Sequence, residues 1–263
     1  MTRPVPPRLT RLSPVSFAVT VTALAVLIAS MTQVAPSPDQ LVQGAPRFVN
    51  LMDRMTPPNL DPAFLWRIGA RIVETFQIAL VGAAFGVLLS IPIAWMAARG
   101  VSPLGPFHVV AKALVSLART IPDLVWALIF VATVGLGPVA GTLTIMMDTI
   151  GFCGRFFAEA IEDADKEPQQ ALEAVGANRL SVALGAIWPD ALPSMINSSL
   201  FALEKAVRSS VVLGLVGAGG IGQELKVAFD LFQYQNACTI ILVIFIIVLG
   251  MEFVTDRLRA RLQ

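Results

Sequence analysis

Charge is scarce in this chain: 14% of its 263 residues are Asp, Glu, Lys or Arg, against about 25% in an ordinary soluble domain. Hydrophobic residues make up 56% and the mean hydropathy is +0.73, which excludes a soluble globular class in favour of an integral membrane protein. The net charge is +1, leaving no basic field for nucleic acid. Histidine is represented by His108 alone, so no H-E-x-x-H zinc motif can be assembled. Cys153 and Cys238 each sit inside an apolar segment, which argues for buried thiols rather than a disulfide or metal site. No Gly-Lys dipeptide occurs, so the phosphate-cradling loop G-x-x-x-x-G-K-[ST] is excluded. No metal and no cofactor is expected on this chain.

What is present instead is a series of uncharged runs. The first, 15–34, follows Arg3, Arg8 and Arg11 and is near the roughly 20 residues that span hydrocarbon, long for a signal-peptide core; a retained first span is expected. Further runs cover 75–98, 124–147 and 231–251. Gly135-Leu136-Gly137-Pro138 breaks the run 124–147, because proline and paired glycines suit a turn better than a helix centre. That region therefore divides into spans at about 113–134 and 139–161, and a fifth span at about 192–216 carries Glu204, Lys205 and Arg208. The expectation is an all-α polytopic membrane protein with six transmembrane helices. Six spans return Arg257, Arg259 and Arg261 to the side of Arg3, Arg8 and Arg11, with Arg99, Lys112, Lys166 and Arg179, and the positive-inside rule makes that side cytoplasmic. The loop 35–74 fits less well, with Arg47, Arg54, Arg67 and Arg71 on the outside, and its three aspartates and six prolines suggest an exported cap. The chain then divides into an N-terminal tail, span and external loop (1–71), a transmembrane domain (72–256) and a cytoplasmic tail (257–263).

One long polar stretch, 162–190, interrupts the spans where a tight turn would suffice. Pro168 can occupy the first turn of a helix, since its missing N–H would be unpaired there anyway. A helix is predicted over 168–180, interrupted by Gly176 and Ala177, and its simplest purpose is a handle for a soluble partner.

Gly217-Ala218-Gly219-Gly220-Ile221-Gly222 satisfies G-x-G-x-x-G. The dinucleotide reading requires a βαβ unit, and between two apolar spans the cluster better suits a sharp re-entrant turn or close packing. Upstream, Asn197, Glu204 and Arg208 share one helical face, with Ser198, Lys205 and Ser209 in the adjacent row. Glu204 lies roughly 18 Å past Leu192, near mid-bilayer, where ionised groups pair or face water and mark a pathway by default. A purely structural Glu204–Arg208 i,i+4 pair is the competing account.

The spacing Gln170-Ala171-Leu172, then Gly176, then Pro189 resembles the EAA loop of ABC-importer permeases, whose triplet has here become Gln-Ala-Leu. The runs LARTIPDLVWALIFVATVGLGP, GRFFAEAIEDADKEPQQALEAVGAN and FALEKAVRSSVVLGLVGAGGIGQEL are similar to phosphonate ABC-transporter permeases, a resemblance covering roughly 75–257. The resemblance implies a type I importer fold in a bacterial cytoplasmic (inner) membrane, with both termini cytoplasmic. It implies a homodimer with the path at the subunit interface, lined by Asn197, Glu204, Lys205, Arg208, Ser209 and Ser210 and closed outside by Gly217, Gly219, Gly220 and Gly222. It further implies two ATPase subunits that bind ATP and Mg, touched by Gln170, Ala171, Glu173, Gly176 and Ala177, and an extracytoplasmic phosphonate-binding protein. The ligand would be a phosphonate or a related phosphorus oxyanion such as phosphite or a phosphate ester.

A methionine or osmolyte permease would keep the glycine cluster and the coupling loop but would not need cations in the fifth span. An intramembrane enzyme lacks its catalytic groups, with one histidine and no G-x-G-D around Asp148, and a non-enzymatic assembly factor would not need a buried Glu/Arg row. Of the remaining polar residues, His108 suits an interfacial position and Arg119 with Asp123 suits a structural pair. Asp148 and Arg155 share one face of the fourth span, open to either packing or pathway roles.

Overall fold

The computed structural model describes residues 13–35, 37–102 and 105–260, and every element among them is helical. The chain divides into two compact units, 1–53 and 54–263. In the first, helix α1 (Pro14–Val34) has apolar side chains exposed along its whole length, and α2 (Pro38–Met55) starts behind a reciprocal cap. There the Ser37 amide donates to Gln40 Oε1 at 3.1 Å and the Gln40 amide to Ser37 Oγ at 3.3 Å.

The second unit begins within the last turn of α2 and continues to α3 (Pro62–Ala97), whose N-cap Asp61 accepts from the Phe64 amide at 3.1 Å. Its 36 residues extend about 54 Å, well beyond a hydrocarbon core of about 30 Å. The expected start near residue 75 is thus corrected to Pro62: the hydropathy run marked where the helix meets lipid, whereas Arg67, Arg71 and Glu74 continue the same helix outside it.

The expected third span is also corrected. It is two helices, α4 (His108–Thr120) and α5 (Asp123–Val134), bent by 89° at Ile121-Pro122. Pro122 forces Ile121 into an extended conformation (ψ 123°) and so ends α4. The turn at Gly135-Leu136-Gly137, with φ of +98° and +128° at its glycines, separates α5 from α6 (Pro138–Glu162) as the sequence predicts.

The polar stretch does not form one helix over 168–180. Asp165 caps α7 (Lys166–Ala174), Gly176 stops it at φ +84°, and Asn178 caps the short α8 (Arg179–Val182). Proline therefore lies inside the first turn rather than at its start, and the glycine is a terminator rather than an interruption. A π-turn, 183–187, leads into α9 (Trp188–Gly214), followed by α10 (Gly220–Asp230) and α11 (Tyr234–Arg259).

Among the described residues α1, α3 and α11 are each long and apolar enough to cross a membrane, and the bent α4–α5 pair passes as a fourth. Helices α6 and α9, with 25 and 27 residues, have the length and carry the ionised side chains that lower their hydropathy. With α6 and α9 added to these four, the count would reach the expected six. Helix α10 is too short to be a seventh.

Helices α3 and α6 pack closely because small residues meet across them. A Cβ on Gly82 would lie 2.8 Å from Ile145, and Gly86 faces Thr149 in the same way. Gly151 receives the backbone of α4 at Ala118 and Arg119. This contact holds the α4–α5 bend beside the middle of α6.

Candidate functional site

Helix α9 carries ionised side chains at its centre because neighbouring helices supply partners. Glu204, with a side chain only 10% exposed, accepts from the Arg208 guanidinium one turn on, as the i,i+4 spacing predicts. It also accepts from Arg259 Nη2 at 3.2 Å and lies 3.5 Å from Thr255 Oγ1, both on α11. Arg259, expected in the tail 257–263, is the last residue of α11 and the second cation of the Glu204 site.

Lys205 points to a different set of partners. Its ammonium donates to Asp148 on α6 at 2.7 Å, lies 4.0 Å from Asp123 at the start of α5, and sits 5.9 Å from the Phe152 ring. Ser209 donates to the other Asp123 oxygen at 3.1 Å. Asp123 is thereby assigned to α9, and the expected Arg119–Asp123 pair is replaced: Arg119 lies over the Phe156 ring at 5.5 Å. The extended Ile121-Pro122 step and its 89° bend break the helical register between the two residues, so their i,i+4 spacing no longer stacks them on one helix. Arg155 pairs with Glu159 at 2.7 Å, which separates it from Asp148.

These groups line a cleft of about 480 Å³ that includes Arg119, Asp123, Asp148, Lys205, Arg208 and Ser209, with Phe152 and Phe201 as its apolar walls. The volume suits a small ligand. Asn197 is exposed further along α9. Ser210 does not join the cleft; it is buried, and its hydroxyl donates to the Val207 carbonyl of its own helix at 2.8 Å.

The glycine cluster turns the chain from α9 into α10. Gly217, Gly219 and Gly220 have φ of +93°, +85° and +74°, conformations that a side chain would strain. Gly222 instead packs directly on α9, where a Cβ would strike the Val211 carbonyl. The turn is fastened to its surroundings by polar contacts that the motif does not reveal. Glu74 accepts from the Gly220 amide at 3.2 Å and Thr75 from the Ile221 amide at 2.8 Å, while the Gly137 amide donates to Gly217 O at 2.9 Å. Arg71 then joins Glu74 at 2.6 Å to Glu224 of α10 at 3.1 Å.

In the polar stretch Gln170, Ala171 and Glu173 are exposed, while Ala177 is half-buried and donates its amide to Leu172 O at 3.0 Å. Gly176 faces open space. Val175 is 80% exposed, an apolar side chain at the tip of the segment. The Asp165 amide donates to Asp190 at 2.8 Å, which closes the stretch into a loop. Where the stretch begins, at the last residue of α6, Glu162 accepts from the Arg99 amide at 2.8 Å and from Lys112 at 3.1 Å. Burial favours the neutral acid, but these donors outweigh it and hold the Glu162 carboxyl below the ordinary glutamate range.

Spanning helices that enclose a cleft of ionised side chains, interrupted by an exposed polar loop, define a multi-pass membrane transport subunit. The chain belongs to the family described as binding-protein-dependent transport system inner membrane component, which it matches over residues 90–263. It is 37% identical over 243 residues, 92% of this chain and 86% of the relative, to the putative phosphite transport system permease protein HtxC of Stutzerimonas stutzeri. It is 38% identical to the phosphate-import permease protein PhnE of Mycolicibacterium smegmatis, over 84% of this chain but 41% of that longer relative. Among solved structures, an inward-facing form of the MetNI methionine ABC transporter superposes with a TM-score of 0.66 at 22% identity, covering 78% of this chain and 100% of that one. The fold is that of a type I ABC importer permease.

Proposed function

We propose that this chain is the membrane-spanning permease of an ATP-driven importer for a phosphonate or a related phosphorus oxyanion. The observation that carries the reading is the 37% identity to a phosphite-transport permease along 92% of the chain. The cations Arg119, Lys205 and Arg208 around the 480 Å³ cleft support it, because guanidinium and ammonium groups are the natural partners of such ligands.

In this reading the chain forms a homodimer in a bacterial cytoplasmic membrane, with both termini in the cytoplasm and the path at the subunit interface within 72–256. The face bearing Asn197, Glu204, Lys205, Arg208 and Ser209 lines the path, and the turn at Gly217, Gly219, Gly220 and Gly222 closes its outer end. Gln170, Ala171, Glu173, Gly176 and Ala177 meet two ATPase subunits that bind and hydrolyse ATP with Mg, while this chain binds no cofactor and catalyses no reaction. An extracytoplasmic phosphonate-binding protein delivers the ligand.

Reconstitution with the cognate ATPase and binding protein tests this. ATP-dependent uptake of labelled methylphosphonate or phosphite, unaffected by excess methionine, is expected. Uptake of methionine with no uptake of either phosphorus compound would transfer the chain to the amino-acid alternative.

A further inference from the structure

Around Lys205 the cleft holds more carboxylate than a structural bridge requires. Asp148 bonds the ammonium at 2.7 Å, and Asp123 stands 4.0 Å from it on another helix, fixed by Ser209 at 3.1 Å. Three helices thus converge on one lysine: α5, α6 and α9. The lysine side chain remains 35% exposed and the group opens onto the cleft rather than into packed core. A bridge that only fastened α6 to α9 would need one carboxylate and no adjoining void.

The charge balance of the lining gives these aspartates a purpose. Arg119, Lys205 and Arg208 line the cleft with Asp123 and Asp148, and Glu204 is shared between Arg208 and Arg259, so the connected set of four cations and three carboxylates has a surplus of one. Without the aspartates, Arg119 and Lys205 would face a partly dehydrated cleft uncompensated and would bind a dianion tightly, whereas passage requires that the ligand leave as readily as it enters. Lysine suits exchange of partners, being a compact charge on a flexible stem, unlike the planar fork of arginine.

We propose that Asp148, assisted by Asp123, is a built-in stand-in for the transported oxyanion. It occupies the Lys205 ammonium when the cleft is empty, gives it up to an entering ligand oxyanion, and takes it back as the ligand moves on. The proposal rests on the reading of the chain as a phosphorus-oxyanion permease. Asp123 and Asp148 become release determinants: they weaken retention of the bound anion and thereby set the rate of passage.

The experiment uses the full complex of permease and ATPase in nanodiscs for binding, and the same complex with its binding protein in proteoliposomes for uptake. Labelled methylphosphonate is the probe. Asp148→Asn, nearly isosteric but uncharged, should assemble normally. It should bind the probe at least about tenfold more tightly than wild type, and import it about tenfold more slowly at saturation, a conservative fraction of one unit-charge interaction in a partly wetted site. Asp123→Asn, whose carboxylate is further from Lys205, should shift both quantities in the same directions by less. Unchanged binding and uptake in both variants overturns the proposal. If Asp148→Asn fails to assemble, Asp123→Asn and the apolar double variant Asp148→Met with Lys205→Met decide. Restored assembly and normal uptake in the double variant leaves only a structural bridge, and restored assembly without uptake supports the exchange. Wild-type uptake of methylphosphonate combined with an indifferent Asp148→Asn rejects this inference alone. Absence of any phosphorus-oxyanion uptake by wild type rejects the underlying function and this inference with it.

Discussion

Arg259 Nη2 lies 3.2 Å from Glu204 Oε2, so the end of α11 is tied by an ion pair to the middle of α9. Arg208 holds the other oxygen of the same carboxylate. The acid therefore has two cationic partners, which makes the consequences of mutation asymmetric.

Arg208→Ala leaves Glu204 paired with Arg259 and should change membrane abundance little. Glu204→Ala strips both arginines of the carboxylate and should cost about 3 kcal/mol, seen as lost assembled protein. The double Glu204→Ala, Arg208→Ala variant should not recover abundance, because Arg259 is still without its acid. Equal losses in the singles and full recovery in the double would mean that the Arg259 contact contributes nothing. Under the proposed function, uptake of labelled methylphosphonate falls in all three variants.

At the α9–α10 turn, Gly220→Val should be among the most damaging single changes. Its φ of +74° is costly for any side chain, by about 1–3 kcal/mol, and a Cβ would lie 2.7 Å from Thr75 Oγ1. Gly250→Ala, in open space on α11, is the matched control and should be neutral or slightly stabilising. Thermal unfolding of the purified protein compares them; equal melting temperatures would contradict the role assigned to the turn.

In the exposed polar loop, which the proposed function seats on the ATPase, the informative variants are Gln170→Ala and Glu173→Ala, which are exposed and should leave the fold intact. Ligand-stimulated ATPase activity of the complex should drop several-fold while abundance holds. Gly176→Phe is a poorer probe, because its φ of +84° adds about 1–2 kcal/mol of local backbone strain to any loss of partner contact. Retained ATPase coupling in both alanine variants would remove these two side chains from the ATPase contact.

Acid stability should depend on Glu162. A carboxyl held below its ordinary range in the folded state contributes stability that is fully present above the unfolded value of about 4.3 and is lost as pH falls through the folded value. Melting temperature should therefore decline on acidification through this range in wild type, and the part due to this group should vanish in Glu162→Gln. Parallel melting curves for the two proteins across that interval would exclude the contribution.

The membrane class, the break at Gly135 to Pro138 and the need for glycine in 217–222 were legible in the residues alone. Each depends on local physics: the length of an apolar run against bilayer thickness, or a backbone angle that only glycine adopts freely. The Glu204–Arg208 pair was legible for the same reason, being one helical turn apart. The helix boundaries of the polar stretch were not, because Asp165 starts one helix ahead of Pro168 while Gly176 and Asn178 end it and start another, so the run of helix formers is cut in two.

Only tertiary structure decided which distant partners meet. Lys205 with Asp148, Arg259 with Glu204, and Glu74 with the Gly220 amide are separated by 57, 55 and 146 residues. Ser209 reaches the cleft while its neighbour Ser210 turns inward to Val207. Hydropathy records that a helix lies in the membrane but not its rotation about its own axis, and a rotation of about 100° per residue separates a pathway side chain from a packed one. That rotation is set by close packing at Gly82, Gly86 and Gly151 and by the bend at Pro122, contacts that exist only once the helices are assembled.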